Sequence, residues 1–419
     1  MKLAVVGAGS TYTPELVDGL VRMQDLLPVE VLSLTDVDEE RLAILGGMTS
    51  RMLDRGDHSA HVTLTTRLEE AVEGADAVLI QLRVGGQAVR IVDESVPVAC
   101  GCIGQETTGY GGLAKALRTV PVVLEIAERV RRLAPQAWIV DFTNPVGIVT
   151  KALLDEGHRA VGLCSAAMVL QRHFAKVLDV APERVELDHV GLNHLTWEVG
   201  VRVDGDEVLP QLVGEHVERV APATGLRPDL VRRLGVVPSY YLHYFYDHDR
   251  VVEHQRHHQS RAEEVAEIER ELLELYADEN VAEKPELLSR RGGAHYSEAA
   301  VELMASLFGR NPNRRHVVNV RNCGTLPFLV DDAVVEVPAH VEAAGVTPLP
   351  VPQLDPVERG LVAHVSAYEE LALDAALRGG RERVFRALLA HPLVGQADVA
   401  ENLADRMIEA NREYLAWAP

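Results

Sequence analysis

Residues 5–16 read VVGAGSTYTPEL, and this stretch decides the fold of the chain. An apolar run typical of a β-strand ends at two glycines, and a segment typical of a helix N-terminus, TPEL, follows at once. Glycines at such a turn let the backbone approach a phosphate group, which the free N–H groups and dipole of the helix N-terminus attract. The predicted cofactor-binding residues of the turn are Gly7, Gly9, Ser10 and Thr11.

Short β-branched runs and longer amphipathic runs alternate downstream of this turn. The alternation is typical of βαβ units, which build a parallel sheet with helices on both faces. We therefore predict a Rossmann-like, doubly wound parallel sheet over residues 1–170. Its further strands are predicted in EVLSLTD (30–36), DAVLIQL (76–82), AWIVDFTNP (137–145) and RAVGLCS (159–165).

Residues 171–419 predict a second domain of mixed α+β class that is mostly helical, like the C-terminal part of lactate and malate dehydrogenases. Residues 183–210 alternate as antiparallel strands do, with a DGD turn, and residues 260–279 form a charged helical run. The proline-rich segment 341–357 predicts a surface connection before a C-terminal helical region.

The cofactor of the first domain is indicated by Asp36, which ends the second apolar run. A carboxylate at this place typically binds the ribose hydroxyls of NAD and repels the additional phosphate of NADP. Tyr12 occupies the place of the third glycine of the usual fingerprint, so the turn alone is a weaker signal than the turn together with Asp36.

Composition excludes several classes of partner. The formal net charge of −22 should repel nucleic acid and acidic membranes, so we expect a small-molecule ligand. Four cysteines in 419 residues are too few for a disulfide framework, and the sequence starts without an export signal. These features predict a cytoplasmic protein with free thiols, which we also expect to form a homodimer or homotetramer.

Two polar segments follow predicted strands and are candidates to touch a ligand. Loops beyond the carboxyl ends of parallel strands line the ligand crevice of such a sheet. The glycine-rich segment 103–112, with Gln105 and Glu106, is predicted to be a loop there, although a solvent-exposed turn is the alternative. Asn144 in FTNP occupies a similar place.

Cys164 also ends a predicted strand, where it is either a packed small residue or a ligand. His194, in GLNHLTW, is a possible partner, and one thiolate with one imidazole would leave several positions open on a divalent metal. The spacing does not establish that the two residues meet. Tyrosines of the run 239–249 are either core residues or a base beside the metal, and the histidines of 247–259 suggest a solvated helical face.

The chain resembles glycoside hydrolase family 4, the NAD- and Mn-dependent glycosidases, and most resembles its 6-phospho-β-glucosidase branch. The resemblance covers nearly the whole chain. It is carried by motifs that occur in the family's order and approximate spacing: GAGSTYTPEL, RVGG, IGQETTG, FTNP, GLNH, KPELLSRRGG and VVEVP.

The resemblance implies a site and a mechanism. Cys164 and His194 would bind Mn²⁺ or another divalent metal, Tyr241 would remove the C2 proton and Glu106 would assist it. NAD⁺ would take hydride from C3 and return it after elimination of the aglycone and addition of water, so no carboxylate pair is required; family 4 is an established exception to the two-carboxylate rule. The implied substrate-binding residues are Arg83, Arg90, Asn144, Asn193 and Arg261.

Ser165 departs from the family pattern. The α-acting members of the family place an aspartate proton donor there, and the β-acting members an asparagine in a CN-x-P run, whereas this chain reads CSAA. Ser165 thus occupies a catalytic position, but serine has no acidic proton useful near neutral pH. We expect β-glucosides, 6-phosphorylated, as substrates, with Arg83 and Arg261 as phosphate-facing cations.

Three alternatives stay open from the sequence. The chain could be an ordinary NAD-dependent dehydrogenase of 2-hydroxy acids, a non-catalytic NAD-binding regulator, or a family 4 glycosidase that acts on a non-phosphorylated or different sugar. Stoichiometric NADH formation would favour the first, and metal-dependent turnover of an aryl glycoside would exclude the second.

Overall fold

A computed structural model describes residues 1–292, 296–311 and 314–418. Its strands in this part of the chain are β1 (Lys2–Val6), β2 (Val31–Thr35), β3 (His61–Thr65), β4 (Ala77–Ile80), β5 (Trp138–Asp141), β6 (Ala160–Gly162), β7 (Val185–Leu192), β8 (Leu195–Val203), β9 (Asp206–Glu207), β10 (Val237–Pro238), β11 (Arg315–Arg321), β12 (Val334–Glu342) and β13 (Gly345–Pro348).

The helices of the described residues flank these strands. They are α1 (Thr13–Arg22), α2 (Glu39–Arg55), α3 (Leu68–Val72), α4 (Gly86–Ala99), α5 (Gly109–Leu133), α6 (Val146–Asp155), α7 (Ala166–Leu178), α8 (Leu209–Gly214), α9 (Val217–Val220), α10 (Pro228–Leu234), α11 (His243–Tyr246), α12 (His248–His257), α13 (Arg261–Ala277), α14 (Tyr296–Leu307), α15 (Pro356–Arg378), α16 (Arg381–Ala390) and α17 (Ala397–Ala410). None of them is long and apolar enough to cross a membrane.

One sheet runs through the whole chain, in the order β10-β8-β7-β12-β11-β6-β5-β4-β1-β2-β3, with β9 and β13 paired at its sides. Strands β1 to β6 pair in parallel, and their order changes direction between β1 and β4. A ligand crevice is expected at the carboxyl ends of the strands at such a point. The doubly wound class predicted from the sequence is confirmed.

The antiparallel half of the sheet joins the parallel half through one row of paired residues. Gly162 of β6 pairs with Asn319 of β11, Asn319 pairs with Glu336 of β12, and Glu336 pairs with Gly191 of β7. The sheet is therefore continuous across residue 170, and the division into domains at that residue stays a prediction.

Two local predictions were wrong. Segment 103–112 is a loop only as far as residue 108, because Gly109–Leu133 form the helix α5. Gly111 lies in this helix, and its lack of a side chain lets the loop pack against it, because a Cβ there would lie 2.2 Å from the backbone oxygen of Gln105. Segment 341–357 is not only a connection, because Gly345–Pro348 pair with β12 as a hairpin.

The other assignments of the second half are confirmed. Strands β7, β8 and β9 form the predicted antiparallel unit, and α13 begins with a capping box in which Ser260 and Glu263 bond each other's backbone N–H groups. Helix α12 carries most of the histidine cluster of 247–259 on a largely exposed surface. No group of three or more metal-ligating side chains occurs there or elsewhere among the described residues.

Candidate active site

The turn after β1 has the geometry of a phosphate-binding turn. Gly7 has a φ of 87°, and a Cβ there would lie 2.8 Å from the carbonyl oxygen of Gln81. A Cβ on Gly9 would lie 2.8 Å from the Asp36 carboxylate, whose Oδ2 accepts a 2.8 Å hydrogen bond from the Gly9 N–H. Both positions therefore require glycine, and the turn holds the Asp36 carboxylate at the end of β2.

Ser10 and Thr11 differ in their surroundings. Ser10 lines the cavity described below, and its hydroxyl accepts a hydrogen bond from the Tyr12 N–H. Thr11 is fully buried and does not line that cavity, so its predicted contact with a cofactor has no support in the geometry. Tyr12 lines the cavity in its place, with the guanidinium of Arg291 5.5 Å from its ring centroid.

A cavity of about 1830 Å³ extends from this turn to the tip of the β7–β8 hairpin. The described residues that line it include nine basic and eight acidic side chains, whereas the whole chain has 41 basic and 63 acidic residues. The lining is thus close to neutral, whereas the whole chain has a net charge of −22, so an anionic ligand is repelled less inside the cavity than the overall charge of the chain suggests.

His194 and Tyr241 stack at the inner end of this cavity. His194 is at the hairpin tip, with a φ of 61°, and its ring lies parallel to that of Tyr241 with 3.6 Å between the centroids. Burial lowers the pKa of His194 to about 4, so its imidazole is neutral near pH 7. Its Nδ1 bonds the Thr107 hydroxyl at 2.7 Å, and Nε2 has no partner among the described residues.

Cys164 lies just after β6 and is buried close to two tyrosines, Tyr241 and Tyr296. The Tyr296 hydroxyl lies 3.9 Å from its Sγ. Burial is the main cause that raises the pKa of the Cys164 thiol to about 12, and the negative charge of Glu336 is the second cause. Burial and the nearby Cys164 likewise raise the pKa of Tyr241 well above its ordinary value. The fold thus brings Cys164, His194 and Tyr241 into one cluster, which their spacing in the sequence does not establish.

Ser165 adds no group to the cavity. It is buried at the start of α7, its hydroxyl makes no capping hydrogen bond, and it is not one of the described lining residues. The position that carries an aspartate or asparagine in the family pattern therefore holds a shorter side chain that does not line the cavity, and its neighbour Cys164 is not among the described lining residues either.

Glu106 is surrounded by cations. Its carboxylate pairs with Arg83, with Lys115 at 2.8 Å and with Arg90 at 3.4 Å. Burial alone would raise the pKa of this carboxyl, but the three cations hold it well below the ordinary value. Glu106 is thus a fixed negative charge that orders its cations, and it is unsuited to accept a proton near pH 7.

The remaining predicted residues lie in different surroundings. Asn144 lines the cavity, and its Oδ1 is buried without a partner among the described residues, so it can accept a hydrogen bond from a ligand. Arg261 is a half-exposed lining residue that pairs with Glu264 at 2.5 Å. Asn193 does not line this cavity; its amide donates to Glu336.

A buried ionic network supports the hairpin that carries His194. His189 contacts Glu198 at 2.6 Å and Glu336 at 3.0 Å, and Glu336 also accepts hydrogen bonds from Asn193 and Asn319. Burial alone would lower the pKa of His189, but the two carboxylates raise it to about 10. The charged imidazolium therefore compensates the buried carboxylates and fixes Asn193, the neighbour of His194.

Sequence reasoning missed three residues of the cavity. Tyr296 begins α14 next to Cys164, Arg291 pairs with Glu269 at 2.9 Å, and Lys115 lies in the second turn of α5. None follows a strand, so the strand-end rule could not find them. Arg291 falls inside the motif KPELLSRRGG, which was the available signal; the last glycine of that motif lies outside the described residues.

Two family models together match most of the chain. The model for the family 4 glycosyl hydrolases matches residues 2–180, and the model for their C-terminal domain matches residues 189–394. The chain belongs to glycoside hydrolase family 4. The resemblance inferred from the motifs is thereby confirmed, and so is the enzyme class.

Two relatives match this chain along nearly its full length. A probable 6-phospho-beta-glucosidase of Bacillus subtilis is 39% identical over 99% of this chain and 97% of its own length. The 6-phospho-beta-glucosidase structure from Thermotoga maritima with manganese, NAD⁺ and glucose-6-phosphate is 34% identical, covers 99% of both chains and has a TM-score of 0.92.

More distant structures agree in fold. A 6-phospho-alpha-glucosidase from gut microorganisms, in complex with NAD and glucose-6-phosphate, is 29% identical, with a TM-score of 0.89 and 99% of both chains covered. A malate dehydrogenase from Salinibacter ruber is 18% identical, with a TM-score of 0.54 and 90% and 98% of the chains covered. The likeness to malate dehydrogenase shows the fold alone.

Proposed function

We propose that this protein is an NAD- and divalent-metal-dependent glycosidase that cleaves 6-phospho-β-glucosides. The observation that carries the proposal is the single cavity that joins the glycine turn beside Asp36 to the cluster of His194 and Tyr241. Redox and acid–base groups can act on one sugar only if they share such a space. The named activities of the B. subtilis and T. maritima relatives support the same substrate class.

The residues present fit both groups that the relatives bind. Gly7, Gly9 and Ser10, with the Asp36 carboxylate, would hold the dinucleotide, and the absence of a Cβ at both glycines clears the space that it needs. His194, with Nε2 free, and the Cys164 thiol would hold the metal. When bound, NAD⁺ supplies a hydride acceptor and the metal supplies a Lewis acid.

The chain's own residues would hold the sugar and move its proton. Tyr241 would accept the C2 proton as a phenolate, at its phenol oxygen. Burial raises the pKa of this phenol, so a nearby positive charge is needed to keep it ionised. Asn144 would accept a hydrogen bond from a sugar hydroxyl. Burial and the neighbouring Arg83 lower the pKa of Lys115 to about 7, so Lys115 is partly neutral beside the ionised Glu106.

Phosphate recognition would come from the cations of the cavity. Glu106 pairs with Arg83, Arg90 and Lys115, and Arg90 also pairs with Glu94 at 2.7 Å, so this wall carries at most one net positive charge, on the side of Arg83 and Lys115. Arg261 is half exposed at the cavity, where its guanidinium pairs with Glu264 and donates a 2.6 Å hydrogen bond to the backbone oxygen of Arg290, and a phosphate would replace Glu264 as its anionic partner. Malate dehydrogenases share only the fold, so the proposal does not extend to 2-hydroxy acid oxidation.

A panel of nitrophenyl glycosides tests the proposed function. We expect turnover of the 6-phospho-β-glucoside with NAD⁺ and Mn²⁺, without net NADH formation, and poor turnover of the α-anomer, since Ser165 provides no acid for its leaving group. Preference for α-glucosides or for unphosphorylated sugars would contradict the substrate assignment. Net NADH formation with a hydroxy acid would contradict the reaction itself.

Arg261→Ala is expected to raise KM more for the phosphorylated than for the plain glucoside, because the variant removes a charge-assisted contact worth about tenfold in affinity. The matched control is Arg256→Ala. Arg256 also pairs with a glutamate three residues away and is similarly exposed, but it does not line the cavity. Equal effects of Arg261→Ala on both sugars would place the phosphate elsewhere.

Gly9→Ala is expected to weaken NAD⁺ binding by about tenfold, because the added methyl group must displace the Asp36 carboxylate, and overpacking of this kind costs about 1–3 kcal/mol. Gly360→Ala is the control, since that exposed glycine of α15 has open space at its Cβ position. Isothermal titration with NAD⁺ measures both variants, and unchanged affinity in Gly9→Ala would move the dinucleotide away from this turn.

Manganese affinity is expected to rise about tenfold per pH unit between about pH 6 and 9. The Cys164 thiol, with its pKa near 12, must lose one proton to bind the metal, whereas His194, with its pKa near 4, is already neutral. Titration calorimetry in buffers of different ionisation enthalpy counts the protons released. Release of no proton would argue against a thiolate ligand.

The assembly and cellular location also remain proposals. We propose a homodimer or homotetramer in the cytoplasm, as expected from the sequence. Light scattering on the purified chain decides the number of subunits, and fractionation of the host cell decides the location.

A further inference from the structure

The loop before α5 contacts the imidazole of His194 through one hydroxyl. Thr107 Oγ1 lies 2.7 Å from His194 Nδ1 and 2.8 Å from Gln105 Oε1. An imidazole that binds a metal through one nitrogen can carry a proton only on the other, so Nδ1 here either carries the proton or accepts one. Which of the two is the case decides whether Nε2 has a free lone pair.

The orientation of the Gln105 amide is fixed by its neighbours. The backbone N–H groups of Thr107 and Thr108 point to the same terminal atom at 2.6 Å and 2.9 Å. Backbone N–H groups only donate, so this atom is the amide oxygen and cannot be the NH₂ group. It follows that the third contact on this atom, from the Thr107 hydroxyl, is also donated to it.

The hydroxyl proton of Thr107 is therefore already used. A hydroxyl has one proton to donate, and Thr107 gives it to Gln105, so its oxygen can only accept from His194. Nδ1 must then carry the imidazole proton. The lone pair of a neutral imidazole is left on Nε2, the nitrogen without a partner among the described residues.

We infer that Gln105 and Thr107 are positioning residues that hold His194 in its Nδ1–H form and so present Nε2 to the metal. The inference rests on the proposed role of His194 as a metal ligand. Groups that bond the second nitrogen of a ligating histidine fix its tautomer and ring orientation, and their loss typically lowers metal affinity about 10- to 100-fold.

Thr107→Val keeps the shape of the side chain and removes the hydroxyl, whereas Thr107→Ser keeps the hydroxyl. We expect the valine variant to bind Mn²⁺ about 10- to 100-fold more weakly, and the serine variant to bind it within a fewfold of wild type. Electron paramagnetic resonance of free Mn²⁺ measures both affinities without turnover. The matched control is Thr108→Val, because Thr108 bonds His391 and not His194.

Nitrogen NMR of ¹⁵N-histidine-labelled, metal-free wild type tests the same point without a variant, with His194→Ala identifying the resonances. We expect a protonated Nδ1 and an unprotonated Nε2. A protonated Nε2, or unchanged Mn²⁺ affinity in Thr107→Val, would overturn the inference while leaving His194 as a ligand. Unchanged affinity in His194→Ala would overturn the proposed metal site and the inference together.

Discussion

Cys164→Ser is expected to abolish Mn²⁺ binding and glycosidase turnover while the protein stays folded. The thiol is buried beside Tyr296, and serine fits the same space, so the core loses little packing. The metal, however, loses one of its two protein ligands, because a neutral hydroxyl is a poor substitute for thiolate. We expect a loss of affinity of at least about 100-fold, the upper limit for loss of a merely supporting group.

Equilibrium dialysis of Mn²⁺ and turnover of the phosphorylated nitrophenyl glucoside measure this effect, with thermal unfolding as the check on folding. Cys102→Ser is the matched control, since Cys102 is equally buried but lies in the loop after α4. His194→Ala is expected to behave like Cys164→Ser. Manganese-dependent turnover retained in either ligand variant would place the metal elsewhere.

Tyr241→Phe is expected to lower kcat by about a thousandfold, within the range of about 10²–10⁴ that a general base contributes. Phenylalanine keeps the ring that stacks on His194, so binding of NAD⁺, metal and sugar should change little. Only the oxygen that accepts the C2 proton is lost. Exchange of the C2 hydrogen with deuterium from solvent should stop in the variant, which NMR of recovered sugar measures.

Tyr296→Phe is the control for this prediction, because Tyr296 is a second, similarly half-buried phenol of the same cavity. We expect it to retain C2 exchange. Exchange that continues in Tyr241→Phe and stops in Tyr296→Phe would make Tyr296 the base. Exchange that survives both changes would assign that role to Tyr240 or Tyr244, which also line the cavity.

Local sequence patterns determined the parallel half of the sheet and the dinucleotide turn. The dinucleotide turn is recognisable because all its parts lie within one βαβ unit: a strand, two glycines, the start of a helix, and an aspartate 29 residues after Gly7. Residues close together in the chain are therefore enough to predict it. The same reasoning failed at Gly109, where glycines suggest a loop. The missing Cβ atoms of Gly111 and Gly112 let residues 105–107 pack closely on α5, and local helix propensity carries no information on such a contact.

Position after a strand and nearby polar motifs suggested Cys164 and His194 as possible metal ligands and a tyrosine of 239–249 as a possible base. Only the resemblance to a family assigned these roles and selected Tyr241, because the spacing of the three residues carries no ligand pattern. Glu106 was named in the same way, but its ionised state depends on Arg83 and Lys115, which come from different parts of the chain. Tertiary packing decides which charged residues lie next to a buried group, and the periodicity of the sequence does not predict that packing.

Tertiary structure alone decided that the two halves of the site meet. The sequence by itself determined the turn at Gly7 and the strand that ends before Cys164, since both follow from patterns a few residues long. Gly162 and Gly191 lie in one row of paired residues that crosses the sheet through β11 and β12. Cys164 follows Gly162 by two residues and His194 follows Gly191 by three, so the pairing brings both to the same part of the sheet. That register depends on strands more than 100 residues apart, whose pairing is stabilised by burial of the whole core and not by any one segment.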